Sequence, residues 1–304
     1  MYFVYLYMQR RAALKLLLPA AIGISASSAT GMNLQDLKKF ADKLPPDEIQ
    51  PALFIGHGNP LNALYDNSFT QQLSSLGKTI LKPKAALIIS AHWLTRGSFV
   101  SSTLNPKTIY DFGGFPPEMY KIVYPAKGSP ENAKLVQDTI KKTNVHADAD
   151  MGLDHGAWTV LKHIWPQADV PVFQLSIDFY QSPRWHYELA QELKTLRKKG
   201  IMIIGSGNIV HNLGLAQFTP VNDKIDDWAI EFDETVKAKI LSKDHNALID
   251  YPNIGKVAKL AVPTNDHYLP LLYTLALQEK NEEASFIYEG FQNANISMRC
   301  LRIG

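Results

Sequence analysis

PALFIGHGNP, residues 51–60, is the stretch on which the fold turns. A short apolar run, PALFI, ends at Gly56, and His57 stands between that glycine and Gly58. The run has the length of a buried strand rather than of a helix. The two glycines let the chain turn sharply and let its backbone come close to a ligand. The same pattern returns downstream. KAALIIS at 84–90 is a second buried run and leads to His92. IMIIGSG at 201–207 is a third, and leads through a glycine turn to His211. PVFQLSI at 171–177 is a fourth strand, and FIYEG and ISMRCLRI close the chain.

Helical segments lie between these runs. Ser129, Pro130 and Glu131 start a helix that reaches about Lys142, with a cap, a first-turn proline and an acid near the positive end. Further helices are predicted around 184–198, at 225–241, and over HYLPLLYTLALQ despite Pro270. Residues 97–128, rich in Gly and Pro, form a long connection of the kind that often lines a site. Strands interspersed with helices, with no repeat or low-complexity linker, predict a single-domain α/β sandwich: a central mostly mixed β-sheet flanked by helices, over residues 51–304.

The N-terminus reads differently. Arg10 and Arg11 precede a moderately apolar segment and then small residues through Ala29, so residues 1–30 resemble a twin-arginine signal. Residues 31–50 follow as a linker and a short helix, LQDLKKFADKL. The apolar segment is short and holds Pro19 and Gly23, which argues against a stable membrane span. The expectation is a periplasmic or otherwise exported protein that meets the twin-arginine export machinery, and a cytoplasmic one if this segment is not a signal. The chain carries a formal charge of +2; without residues 1–30 it holds 28 basic against 29 acidic residues. That balance and the lack of a Lys/Arg tract exclude a nucleic-acid-binding class. Cys300 is the one cysteine, so no internal disulfide forms.

Five histidines occupy junctions. His57, His92 and His211 follow strands, His267 lies in PTNDHYLPL before a helix, and His155 lies in GLDHGAW. Groups at the carboxyl ends of strands converge in open α/β sheets, even when distant in sequence. Neutral imidazoles bind Fe(II), Zn(II) and related ions, and each needs its second ring nitrogen satisfied. Asp154, Asn208 and Asn212 are near enough in sequence to serve. His163 and His186 fall within helices and read as structural, and His146 and His245 as solvated. No HExxH, CxxC, P-loop, GxSxG elbow or complete dinucleotide fingerprint occurs. The residues alone leave open a zinc-dependent hydrolase and a non-catalytic metal or small-molecule binding protein.

Taken in order, GHGNP, SAHW, DFGGFP, YPAKGSP, DHGAW, SGNIVHN and HYLPLL resemble the extradiol ring-cleavage dioxygenases of the DOPA 4,5-dioxygenase-like kind, class III, in the protocatechuate dioxygenase catalytic-subunit superfamily. The resemblance spans about positions 51–275. It implies one mononuclear non-haem metal centre, with Fe(II) for activity and Zn(II) a possible bound ion. It implies a catechol-type small molecule and dioxygen as substrates, with both oxygen atoms entering the product. It implies His57, His92 and His267 as metal ligands, the last where better-known relatives use a glutamate. A neutral third ligand leaves the centre one unit more positive and favours a deprotonated catechol. His211 matches the residue that moves protons, with an ordinary titration near pH 6.5. His155 matches a residue that contacts substrate or oxygen. Asp154 and Asn208 would support the ligands from behind, and Phe112, Phe115 and Tyr268 would wall an aromatic pocket. The signal-like N-terminus departs from the family's familiar bacterial members, which look cytoplasmic.

Overall fold

Strands β1 (Ala52–Gly56), β2 (Ala85–Ser90) and β8 (Ile201–Gly207) are buried along their whole length, as parallel strands covered on both faces must be. They belong to a computed structural model that describes residues 49–218 and 224–304. The signal-like segment and the short helix read at LQDLKKFADKL lie outside the described residues. With β6 (Val172–Gln174), β9 (Ala284–Tyr288) and β12 (Cys300–Ile303) they form a six-stranded sheet in the order β6-β2-β8-β1-β12-β9. The first four strands run parallel, while β12 and β9 join antiparallel. The sheet is therefore mixed, as the sequence predicts.

Alternate residues of each strand supply two cores. Leu53, Ile55, Ile88 and Ile204 pack toward α1 (Ser68–Thr79) and α3 (His155–Ile164). Phe54, Leu87, Ile89 and Ile203 pack toward α4 (Pro183–Glu192), α6 (Asp227–Leu241) and α9 (Leu269–Ala276). Each fully buried Leu, Ile or Phe contributes about 1.5–3 kcal/mol of transfer free energy, so the strands are held by their side chains as well as by their ladders. Pro270 is tolerated because it occupies the first turn of α9, where no helical N–H is needed. Among the described residues, no helix is long and apolar enough to cross a membrane.

Several boundaries differ from the sequence reading. The strand read at 171–177 divides into β6 and β7 (Ile177–Asp178): Leu175 still bonds the Ile88 carbonyl but also bridges Val100, Ser176 N–H turns to the Phe99 carbonyl, and β7 then pairs with β3 (Leu94–Thr95). The connection at 97–128 contains β4 (Ser98–Ser101), which pairs with β5 (Val145–Asp148). Ser129 does not cap α2 (Pro130–Thr139) through its side chain; its Oγ accepts from Asn132 Nδ2 instead, at 2.7 Å. The closing segment splits into β11 (Ile296–Ser297) and β12.

Register positions the functional end. Gly56 lies opposite Gly207, and Ser90 opposite Ser206, so β1, β8 and β2 finish level with one another. The start of α9 rests directly on that edge. A Cβ at Gly207 would overlap the His267 carbonyl oxygen, and one at Gly205 the Pro270 carbonyl oxygen. Gly207→Ala is expected to lower stability by about 1–3 kcal/mol through overpacking, read as a drop in the urea midpoint. Gly113→Ala, whose Cβ would meet nothing within 4 Å, is expected to change it by less than about 0.5 kcal/mol.

Candidate active site

The level strand ends bring His57 and His92 together from opposite sides of β8. His57 N–H bonds the Gly207 carbonyl at 3.1 Å, and Ala91 N–H bonds the Ser206 carbonyl at 3.0 Å, which extends the ladder past both strands. The two rings meet with Nε2 atoms 3.0 Å apart. His155 begins α3, where Asp154 caps the helix by accepting from Ala157 N–H. His267 precedes α9, and its carbonyl accepts from Asn208 N–H at 2.9 Å. His211 is fixed by its own N–H on the Ala261 carbonyl, also at 2.9 Å.

All five junction histidines converge on one cavity of about 280 Å³. The ring of His57 lies 4.9 Å from that of His92, 5.3 Å from His267 and 5.6 Å from His155, between centroids. His211 stacks on His267 at 3.5 Å, with the planes 7° apart. The tightest trio of ligand nitrogens is His57, His92 and His155, all within 4.8 Å of one another. His267 stands at a comparable ring distance but outside that trio.

The ring nitrogens have distinct partners. Ser206 Oγ gives its single proton to the Gly156 carbonyl at 2.6 Å. It must therefore accept from His57 Nδ1–H, 3.0 Å away, which leaves Nε2 of His57 with a free lone pair. His155 donates Nδ1–H to Asp111 Oδ2 at 2.9 Å, and its backbone N–H bonds Asp111 Oδ1 at 2.9 Å. His267 donates Nδ1–H to Asp266. In each case Nε2 is the nitrogen left to act as a ligand. Two nitrogens that share one ion at about 2.1 Å stand roughly 3.0–3.4 Å apart, so the His57–His92 spacing fits a metal.

Electrostatics favour the same use. Burial first, and then the neighbouring imidazoles, hold His57 and His92 well below the ordinary histidine range, so both are neutral at pH 7. His211 falls to about 3 for the same reasons, below the ordinary value its sequence context predicts. Burial opposes ionisation of Asp111 and Asp266, but their bonds to His155 and His267 prevail and hold both carboxyls below the usual range.

Asp154, Asn208 and Asn212 do not touch the rings. Asp154 accepts from Ser90 Oγ at 2.6 Å, Asn208 donates to the Ser297 carbonyl at 2.7 Å, and Asn212 to the Leu260 carbonyl at 2.8 Å. Each holds backbone or another side chain near a histidine. The ring partners are Ser206, Asp111 and Asp266. Of these, Asp111 opens the quoted DFGGFP stretch and Asp266 directly precedes His267, two signals that a search for carboxylates beside histidines would find.

Phe112 and Phe115 line the cavity, and Phe112 meets His155 edge-on at 5.7 Å. Tyr268 does not line it. As the N-cap of α9 it turns into the core against Tyr251, and its hydroxyl donates to the Leu248 carbonyl at 3.1 Å. Leu213, Phe218 and Ile296 complete the apolar wall, unforeseen from sequence because no local pattern ties them to the histidines. Of the other histidines, His186 is buried against the Tyr273 hydroxyl and His163 bonds the Asn62 carbonyl, both structural. His245 is half-buried against Tyr187 rather than solvated.

Comparison with known proteins bears on this geometry. A family model described as the catalytic LigB subunit of aromatic ring-opening dioxygenase matches residues 51–299. The 4,5-DOPA dioxygenase extradiol of Escherichia coli (strain K12) is 40% identical over 258 residues, 84% of this chain and 94% of that protein. The protein of the same name from Beta vulgaris is 35% identical over 257 residues, 83% and 95% of the two chains. The crystal structure of an uncharacterized Escherichia coli K12 protein matches with a TM-score of 0.74 at 37% identity, covering 84% of this chain and all of that one.

The carboxylate behind His267 yields a test. Asp266→Asn is expected to weaken metal affinity by about 10–100-fold, measured by competition with a chromophoric chelator. An unchanged affinity would show that this pair does not serve metal binding.

Proposed function

This chain belongs to the LigB family of aromatic ring-opening dioxygenases and is an extradiol dioxygenase, and from that premise we propose an assignment of its metal, ligands and proton carrier. The ion is Fe(II), held by His57, His92 and His267. The substrate is a catechol-type molecule opened beside its diol. The observation that carries the reading is the convergence of five imidazoles on one cavity, with Nε2 of His57, His155 and His267 left free by their Nδ1 bonds.

An Fe(II) ion held by His57, His92 and His267 would supply the electron transfer between a catechol and dioxygen that no side chain provides. The protein's own work is binding, orientation and proton movement. Phe112 and Phe115 offer faces and edges to an aromatic ring beside His155. His211, neutral and parallel to His267, is placed to accept a proton from a catechol hydroxyl and return it as the ring opens. His155, oriented by Asp111, presents Nε2 toward the same space and steers the substrate oxygen. The apolar wall limits water around these groups.

A second reading of the ligand set rests on a specific observation: His155, not His267, completes the tightest nitrogen trio. Metal analysis separates the two. His57→Ala and His92→Ala are expected to lose metal and turnover together. His267→Ala is expected to do the same while His155→Ala keeps its metal; the reverse pattern would establish the second reading.

The activity is tested by oxygen uptake and product mass over a panel of catechols, after anaerobic loading with Fe(II). Uptake with both atoms of labelled dioxygen in the product is expected, and zinc-loaded protein is expected to consume none. Ester or amide hydrolysis by the zinc form, without oxygen uptake by the iron form, would instead establish a hydrolase. His211→Ala is expected to retain metal and to slow single-turnover chemistry by about 100-fold. Metal loss with unchanged chemistry per metal would contradict its role.

A further inference from the structure

The turn that presents His57 is held by two side-chain amides that stand outside the cavity. The ladder to β8 ends at the His57 N–H. Beyond it, Asn62 Nδ2 donates to the His57 carbonyl at 3.2 Å, and the Asn59 N–H donates to Gln292 Oε1 at 3.3 Å. Asn62 is buried in a short 3-10 turn, Pro60–Ala63. Gln292 ends β10 (Phe291–Gln292), the strand paired with β11. Although 230 positions apart, the two amides face each other. Asn62 Nδ2 donates to Gln292 Oε1 at 3.0 Å, and Gln292 Nε2 donates back to Asn62 Oδ1 at 2.8 Å. Neither side chain lines the cavity, but Asn293, the next residue, and Ile296, the partner of Gln292 across the hairpin, both do.

The hydrogen bonds fix which way the Asn62 amide points. Its Nδ2 protons go to the His57 carbonyl and to Gln292, and its Oδ1 also accepts from Asn67 Nδ2 at 3.3 Å. Inverted, it would set its oxygen against the His57 carbonyl and against Gln292 Oε1. The backbone of the turn is equally constrained. Gly58 has a φ of +60°, and a Cβ there would overlap Met298 Sδ and Gln292 Oε1. Behind the turn, His163 Nε2 bonds the Asn62 carbonyl at 2.8 Å, and Lys162 Nζ donates to the Ala63 carbonyl at 3.0 Å. A buried polar network with its partners in place stiffens the segment it holds, and removing one member leaves the others unpaired. This network closes on the backbone groups at either side of Gly58, where a small rotation would swing the His57 ring. We propose, on the ring-opening reading above, that Asn62 and Gln292 act as one positioning unit for the metal site: they aim the His57 ring, and they tie its turn to the hairpin that carries Asn293 and Ile296 into the cavity wall.

The test uses Co(II) as the probe. Affinity is read by competition with a chromophoric chelator, at a temperature where each variant is folded, and site geometry by ligand-field absorption. Asn62→Leu and Gln292→Met keep the side-chain size and remove the amides. Each is expected to weaken Co(II) binding by at least about tenfold and to alter the absorption bands. The double variant is expected to match the weaker single one within about threefold, because partners in one network are not additive. Val136→Ala, buried in α2 within the other core, is expected to lower Tm and leave affinity and bands unchanged, which separates positioning from general stability. Should Asn62→Leu not fold, Gln292→Met at its half-buried position carries the same test. Unchanged affinity and bands in the folded variants, with tight binding by the unaltered protein, would overturn this inference alone. So would losses that multiply in the double variant, or an equal loss in Val136→Ala. Unaltered protein that binds Co(II) no better than His57→Ala would overturn the metal centre and this inference with it.

Discussion

The parallel register that sets Gly56 opposite Gly207 and Ser90 opposite Ser206 fixes where the first two imidazoles go. Because β1 and β2 flank β8 and end level with it, the residues just beyond them emerge at one height on one edge of the sheet. Their backbones are then pinned to β8 by the His57 and Ala91 amides. A slip of one residue in either pairing would turn the buried face of a strand outward and carry its histidine away from the other. The cores on both faces oppose such a slip, since each strand is buried throughout its length. His57 and His92 thus stand on the most constrained part of the fold, where small misplacements are least available.

A second layer of constraint sets the protonation of the rings rather than their position. The Ser206 hydroxyl has one proton, and Gly156 takes it. The acceptor role left to Ser206 dictates the tautomer of His57. Asp111 and Asp266 hold Nδ1 of His155 and of His267 in the same way and turn Nε2 of each toward the cavity. The cavity therefore combines imidazoles in front with carboxylates behind. This arrangement suits a divalent ion that also binds an anionic diol.

Much of this was legible in the sequence, and the divisions are physical. Buried parallel strands announce themselves as unbroken apolar runs, and the glycines that end them mark the turns, so β1, β2, β8 and their histidines could be read directly. The α/β architecture followed from helices between those runs. The ring partners were harder, because Ser206 lies 149 positions from His57 and Asp111 lies 44 from His155; only the folded register joins them. Asp154 was adjacent to His155 in sequence, but the start of α3 turned it to Ser90 and to the helix amides. Tyr268 failed as a pocket residue for a similar reason. Successive residues in a helical turn point about 100° apart, so a histidine facing the cavity places the next side chain in the core.

In the proposed centre, three imidazoles bind one redox-active ion at the carboxyl edge of the sheet. Iron K-edge X-ray absorption on the anaerobically loaded protein decides whether they do. One iron per chain is expected, with three imidazole ligands, seen through their outer-shell ring scattering, at about 2.1 Å, the distance typical of imidazole nitrogen on a divalent ion. A site with fewer than three imidazoles, or one dominated by carboxylate oxygen, would contradict it.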